Sequence, residues 1–155
     1  MGRYYKRSYK RSGGGRDKYS VEQRAGTISI PASQQAWVQV VPDSSIEGMR
    51  KVKHVTVSVA SSGSGGSTVA WWALVFVPQG TSPSTLNISG TAGMYEPNQF
   101  VMNCGTFDSN AGPVRITSPL SRNLNSGDKI VLILANPFTS AADYQYVARY
   151  AITLQ

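Results

Sequence analysis

Near its start the chain interleaves cations with phenol rings. Arg3, Lys6, Arg7, Lys10 and Arg11 alternate with Tyr4, Tyr5 and Tyr9, and Arg16 and Lys18 extend the run. Guanidinium and ammonium groups neutralise phosphates and release their counterions. Tyrosine rings stack on unpaired bases without sequence preference, at roughly 1–3 kcal/mol per base. Together these residues suit single-stranded nucleic acid held tightly and without regard to sequence. Nothing in the run has a way to read base edges. A solvating tail or a nuclear-import signal uses the same composition, and import is compatible with nucleic-acid binding.

Other residues with chemical potential are few. His54 is the one histidine, and Lys53-His54-Val55 holds neither a nucleophile nor a second metal ligand, so a structural role is expected. Cys104 is the one cysteine. That excludes an internal disulfide and a cysteine-based zinc site and fits a reducing compartment. It lies among apolar strand residues, where a free thiol is usually buried and inert without an activating partner. The acids from residue 25 onward are Asp43, Glu47, Glu96, Asp108, Asp128 and Asp143, each beside Gly, Pro, Ser or Ala. They read as turn residues, not as a catalytic carboxylate pair. The Ser61–Ser67 loop lacks the closing Gly-Lys-Ser/Thr of a phosphate loop. Asn87-Ile88-Ser89 matches a glycosylation sequon, but no secretory signal accompanies it. The expectation is a non-enzymatic protein with no catalytic residue, cofactor or metal.

The rest of the chain must position this arm. Of 155 residues, 41% are hydrophobic and only 15% charged, against roughly 25% charged in soluble domains. So little charge suggests a surface largely covered by other copies. The charge is also uneven. Residues 1–24 carry eight cations against two acids, a net +6, whereas residues 25–155 carry seven against six, a net +1. Such asymmetry points to a polyanionic partner. No stretch reaches the roughly 18 apolar residues of a membrane span, and no membrane insertion is expected.

Residues 1–24 are expected to be a disordered arm, since they offer little to bury against their ordering entropy. Gly13-Gly14-Gly15 is a flexible joint within it. From Thr27 the pattern becomes strand-like, at 27–30, 36–41, 51–60, 68–77, 99–107, 114–117, 129–135 and 144–154, divided by Gly, Pro, Ser and Asn turns. In 51–60, Val52, His54, Thr56 and Ser58 alternate with Lys53, Val55, Val57 and Val59, and the second set is expected to be the core face. Trp71 and Trp72 point to opposite faces, one into the core and the other toward a subunit contact. Lys51, Lys53, Arg115 and Arg149 either line an inner surface facing nucleic acid or are scattered solvated charges. The fold class is all-β: a single eight-stranded jelly-roll sandwich over 25–155 with the basic arm at 1–24. An immunoglobulin-like sandwich or a five-stranded OB barrel fits the same pattern.

Three stretches resemble capsid proteins of small circular single-stranded DNA viruses, the circovirus-like group that encodes a replication initiator (CRESS-DNA viruses). They are the Arg/Tyr/Lys/Ser terminus at 1–12, Met94-Tyr95-Glu96-Pro97-Asn98-Gln99-Phe100-Val101, and the run from Leu120-Ser121-Arg122-Asn123 to Lys129-Ile130-Val131-Leu132. The resemblance implies a jelly roll that assembles as a small icosahedral, T=1 shell of 60 copies, with the arm inside on the single-stranded DNA genome. It further implies a virion protein that passes through the host nucleus with an import receptor and later meets a host-cell receptor. Only the arm residues carry over to positions in this chain. The arm is less arginine-dense than in circoviruses proper. Sixty arms supply on the order of 360 charges, fewer than the expected genome phosphates. Two other readings use the same features: a cellular single-stranded nucleic-acid-binding β-barrel module, and the capsid of a small RNA satellite virus.

Overall fold

The computed structural model describes residues 19–62, 69–83 and 100–154. Nine strands form among them: β1 (Ser20–Ile30), β2 (Gln35–Val41), β3 (Arg50–Ser61), β4 (Val69–Val77), β5 (Phe100–Asp108), β6 (Val114–Ser118), β7 (Arg122–Leu124), β8 (Lys129–Ala135) and β9 (Ala142–Leu154). They build two sheets. One runs β1-β9-β3-β6, with the short β7 also against β3, and the other runs β2-β8-β4-β5. Every pairing is antiparallel.

The pairings are nested. β1 lies beside β9, β2 beside β8, β3 beside β6 and β7, and β4 beside β5. One long hairpin, rolled up so that consecutive layers pass between two sheets, gives this order. It is a jelly-roll sandwich. The expected eight strands are present, and β7 is a ninth that continues the line of β6 along β3. The nesting rules out the five-stranded barrel and the immunoglobulin order.

The core fills the space between the sheets. Val52, Val55, Val57 and Val59 of β3, Leu124 of β7 and Tyr144, Ala148 and Tyr150 of β9 meet Trp72 and Leu74 of β4 and Ile130, Leu132 and Leu134 of β8. Each large apolar side chain buried here contributes roughly 1.5–3 kcal/mol. β8 lies inside its sheet and is apolar on both faces, as expected. Its other face, Val131 and Ile133, joins Ala73, Val75 and Val77 in a second buried cluster. Trp72 is the core indole of its pair, and Trp71 is half-buried on the opposite face.

Two expectations are corrected. The first is the parity of β3. Val52 and Val55 are both fully buried although three positions apart. The register against β9 shifts between Lys53 and Thr56, and His54 has φ 54°. A bulge at His54 therefore inserts one residue and reverses the alternation. Lys53 consequently faces outward with Thr56 and Ser58 rather than inward with Val55. The bulge also gives His54 its structural role. A left-handed residue costs roughly 1–2 kcal/mol unless it is glycine. His54→Gly is therefore expected to hold or raise the urea midpoint, and His54→Val to lower stability by about 1–2 kcal/mol, because a β-branched side chain is strained there.

The second correction is where pairing starts. Strand was expected from Thr27, but β1 begins at Ser20, inside the stretch assigned to the arm, and Ser20–Gly26 pairs with Ile152–Tyr146. Residues 20–25 are exposed. They are held by backbone ladder bonds, which leave no hydrophobic pattern to read.

Turn chemistry accounts for two of the acids at strand ends, Asp108 and Asp128. Asp108 Oδ1 accepts the Asn110 amide at 2.9 Å. Asp128 Oδ2 accepts the Asn125 amide at 2.8 Å and its Oδ1 accepts the Gln79 amide at 2.9 Å. Asn136, 2% exposed, ties the β1–β2 turn to the β8–β9 turn. Its Nδ2 donates to the Ser140 carbonyl at 2.8 Å and the Pro31 carbonyl at 3.3 Å.

Candidate nucleic-acid interface

The arm residues singled out for nucleic acid (Arg3, Tyr4, Tyr5, Lys6, Arg7, Tyr9, Lys10, Arg11, Arg16 and Lys18) lie outside the described residues. The place where the chain enters the domain is described, and its surroundings are cationic.

On the sheet of β1, β9, β3 and β6, the face turned away from the core is set by β3. With Val52 buried, its neighbours Lys51 and Lys53 turn outward, and beyond the bulge Thr56 and Ser58 do so. Arg149 of β9 lies opposite Thr56, and Arg115 of β6 lies opposite Ser58. All four basic residues whose grouping was left open in the sequence therefore share one face. Lys51 and Lys53 stand two positions apart on the same strand, roughly 7 Å. Arg149 and Arg115 flank that strand, their backbones roughly 12 Å apart given the usual strand spacing and a two-residue offset.

Opposing charge on this face is slight. Among the described residues, Asp143 is the one acid on it, and it sits at the start of β9 opposite Ser29. Six positions separate it from Arg149, roughly 20 Å of strand. Glu22 pairs with Tyr150, a buried residue, and so points to the core side of the sheet. Arg122 turns the other way as well, over the Phe76 ring at 5.8 Å. A phosphate chain laid on the outward face meets four cations and, at its far end, one carboxylate.

Tyr19, the residue immediately before β1, is the link to the arm. The Lys53 Nζ lies over its ring, 4.6 Å from the centroid, a cation–π contact. The arm thus joins the domain at the cationic face. Tyr19 was not among the expected site residues. Its signal is that it continues the arm's Tyr/Lys spacing one residue past Lys18. What the sequence hides is its partner, since Lys53 is far away along the chain.

The entry strand has its own fastening. The Tyr150 hydroxyl donates to Glu22 Oε2 at 2.5 Å, a short charge-assisted bond. Burial above all, then the hydrogen bond and charge of Glu22, push the Tyr150 phenol up to about 12 against an opposing pull from Arg24. The fold thus favours the neutral phenol. That stabilisation is complete below pH 10, the ordinary phenol value, and is lost as pH rises through 12. Unfolding in urea at pH 9 to 12 is expected to show stability falling by up to about 1.4 kcal/mol per pH unit within that window. Tyr150→Phe is expected to flatten the fall, leaving a smaller part from Tyr144, whose phenol burial also raises. An unchanged slope in the variant refutes the assignment.

Two features expected elsewhere fall differently. Cys104 is exposed rather than buried. The most exposed indole is Trp37, not Trp71; it carries the Lys129 Nζ 5.6 Å from its ring centroid.

No family model and no curated protein matches the chain. Solved structures similar to it include a chain of Desmodium yellow mottle tymovirus, 12% identical over 89% of each chain with a TM-score of 0.42. Another is a chain of the disulfide-linked pili that form Bacillus endospore appendages, 13% identical over 89% of this chain and 92% of that one with a TM-score of 0.36.

Proposed function

We propose that the chain is a viral shell protein whose copies assemble into a small icosahedral capsid and package single-stranded nucleic acid through the basic arm. The observation that carries this reading is the joint between arm and domain. A +6 terminus enters a jelly roll at Tyr19, on a sheet face that holds Lys51, Lys53, Arg115 and Arg149. Packaging needs strong, sequence-tolerant attraction to phosphates, and an arm continuous with a basic sheet face provides it. Closed symmetry makes 60 copies the natural count for a small shell. The arm supplies on the order of 360 charges to such a shell, and the face cations add on the order of 240 more. That addition addresses the shortfall against genome phosphates.

Single-stranded DNA is the proposed cargo, the virion the proposed location, and the host nucleus the site of assembly, reached through an import receptor reading the same basic run. These follow the resemblance at residues 1–12, 94–101 and 120–132. Purified particles digested with nuclease and then opened test the cargo. Protected single-stranded DNA supports the reading. Protected RNA moves it to a small RNA virus. Particles that protect neither, or no particles, overturn packaging. The position of the four cations on the folded domain also favours one element of the cellular-module reading, namely that the domain itself grips nucleic acid.

A further inference from the structure

Among the described residues, β1 pairs only with β9 and forms one edge of its sheet. Its first six residues, Ser20 to Ala25, are exposed, so nothing described covers this part of the edge. The pairing with β9 runs through eleven residues without a shift. Natural edge strands are usually blunted by proline, charged side chains, inward-pointing charges, a bulge or short length. β1 has no proline, lysine or bulge and is eleven residues long. The two charges it carries, Glu22 and Arg24 on its core-side face, are opposite in sign and so can pair with a strand of the same sequence. A straight edge of this length presents a row of backbone donors and acceptors ready for another strand.

We infer that the occupant is a second copy of β1, joined antiparallel about a two-fold axis at Gln23. A two-fold axis perpendicular to the sheet keeps each face on its own side. Residues that meet across it must therefore share a face, which limits the centre of the pairing to a residue position. Centred on Glu22, the strand sets Glu22 against Glu22. Centred on Arg24, it sets Arg24 against Arg24. Like charges directly opposite are destabilising. Centred on Gln23, Glu22 of each copy faces Arg24 of the other, and the two Gln23 side chains meet at the axis. Val21, 58% exposed, then faces Ala25 of the second copy on the outward side. Of the three registers centred on Glu22, Gln23 and Arg24, in the middle of the exposed stretch, the one at Gln23 is complementary in charge, and it matches the strand to itself.

The pairing has a consequence for the cationic face. The sheet continues from one copy into the next, and the outward faces lie on one side. Lys51, Lys53, Arg115 and Arg149 of both copies form one surface, with both arms entering it at Tyr19. The inference stands on the edge itself and does not require the shell reading. Within that reading, it names one contact between copies.

Cross-linking of the full chain tests it. In a Cys104→Ser background, Gln23→Cys and Val21→Cys are oxidised mildly and resolved on a non-reducing gel. At the axis the two backbones approach to roughly 5 Å, within disulfide reach. At position 21 the equivalent residues are separated by four positions, roughly 13 Å, which is out of reach. The expected result is a covalent dimer with Gln23→Cys and at least about tenfold less with Val21→Cys. No dimer with Gln23→Cys, or equal yields from the two, overturns the inference. Charge exchange is the second arm. Glu22→Arg is expected to weaken association at least about tenfold, and the double variant Glu22→Arg with Arg24→Glu to restore most of it. Failure of the double variant to recover also overturns it. Particles of shell mass that give no Gln23→Cys cross-link sink this contact and leave the shell reading standing. A cross-linked dimer that never grows larger does the reverse.

Discussion

Removing residues 1–18 is expected to leave the sandwich folded and to take away most of its grip on single-stranded DNA. The nested strands start at Ser20, and the core described above begins with Ile28. The deletion therefore removes no strand and no core residue, and the urea midpoint is expected to stay within experimental scatter. What goes is charge: Arg3, Lys6, Arg7, Lys10, Arg11, Arg16 and Lys18, against Asp17. For single strands the slope of log affinity against log salt is about 0.7 per neutralised phosphate. Seven cations correspond to a slope of about 5, or roughly a thousandfold change in affinity between 50 and 200 mM salt. Anisotropy of a labelled oligonucleotide over that range is expected to show the truncated chain with a slope smaller by about 5. An unchanged slope places the binding elsewhere and contradicts the role of the arm.

The second large effect belongs to the sheet face. Lys51→Gln, Lys53→Gln, Arg115→Gln and Arg149→Gln together remove four cations that share one side of β3, β6 and β9. The salt slope is expected to fall by about 3, and affinity at 0.1 M salt by one to two orders of magnitude. Lys129→Gln is the control, because Lys129 lies over Trp37 on the other sheet. Its slope is expected to be unchanged. If Lys129→Gln costs as much as each face substitution, the four residues are ordinary solvated charges. All five positions keep their backbone role, since glutamine retains the stem that covers neighbouring surface. A stability check by urea unfolding separates loss of binding from loss of fold.

The interior strands were legible because burial writes itself into composition. β8 occupies the expected 129–135 and is apolar on both faces, because it is flanked by strands on both sides and buried above and below. In β9, Tyr144, Tyr146, Ala148, Tyr150 and Ile152 alternate inward through one uninterrupted face. Edges and irregularities were not legible. Residues 20–26 of β1 are held by backbone bonds and bury nothing until Ile28, so no periodicity marks them. The bulge at His54 is a backbone event, and no side-chain pattern announces that Val52 and Val55 face the same way.

The same bulge explains why the cationic face was an open question. Strict alternation counted back from Val55, Val57 and Val59 assigns Lys53, and Lys51 with it, to the core side of β3. One inserted residue returns both to the outside. Arg115 and Arg149 then arrive from strands far along the chain, by the nesting of β3 with β6 and β9. Composition marks the arm and assigns it a chemistry. Which domain face it meets depends on long-range pairing and on one contact, Lys53 over Tyr19.

Assembly is the central claim, and mass tests it most directly. Size-exclusion chromatography with light scattering on the full chain of 16.7 kDa reads the copy number. A closed shell of 60 is expected at about 1 MDa. A peak at that mass is the predicted result. A monomer or dimer at every salt concentration, persisting after single-stranded DNA is added, contradicts the account and leaves a nucleic-acid-binding module in its place.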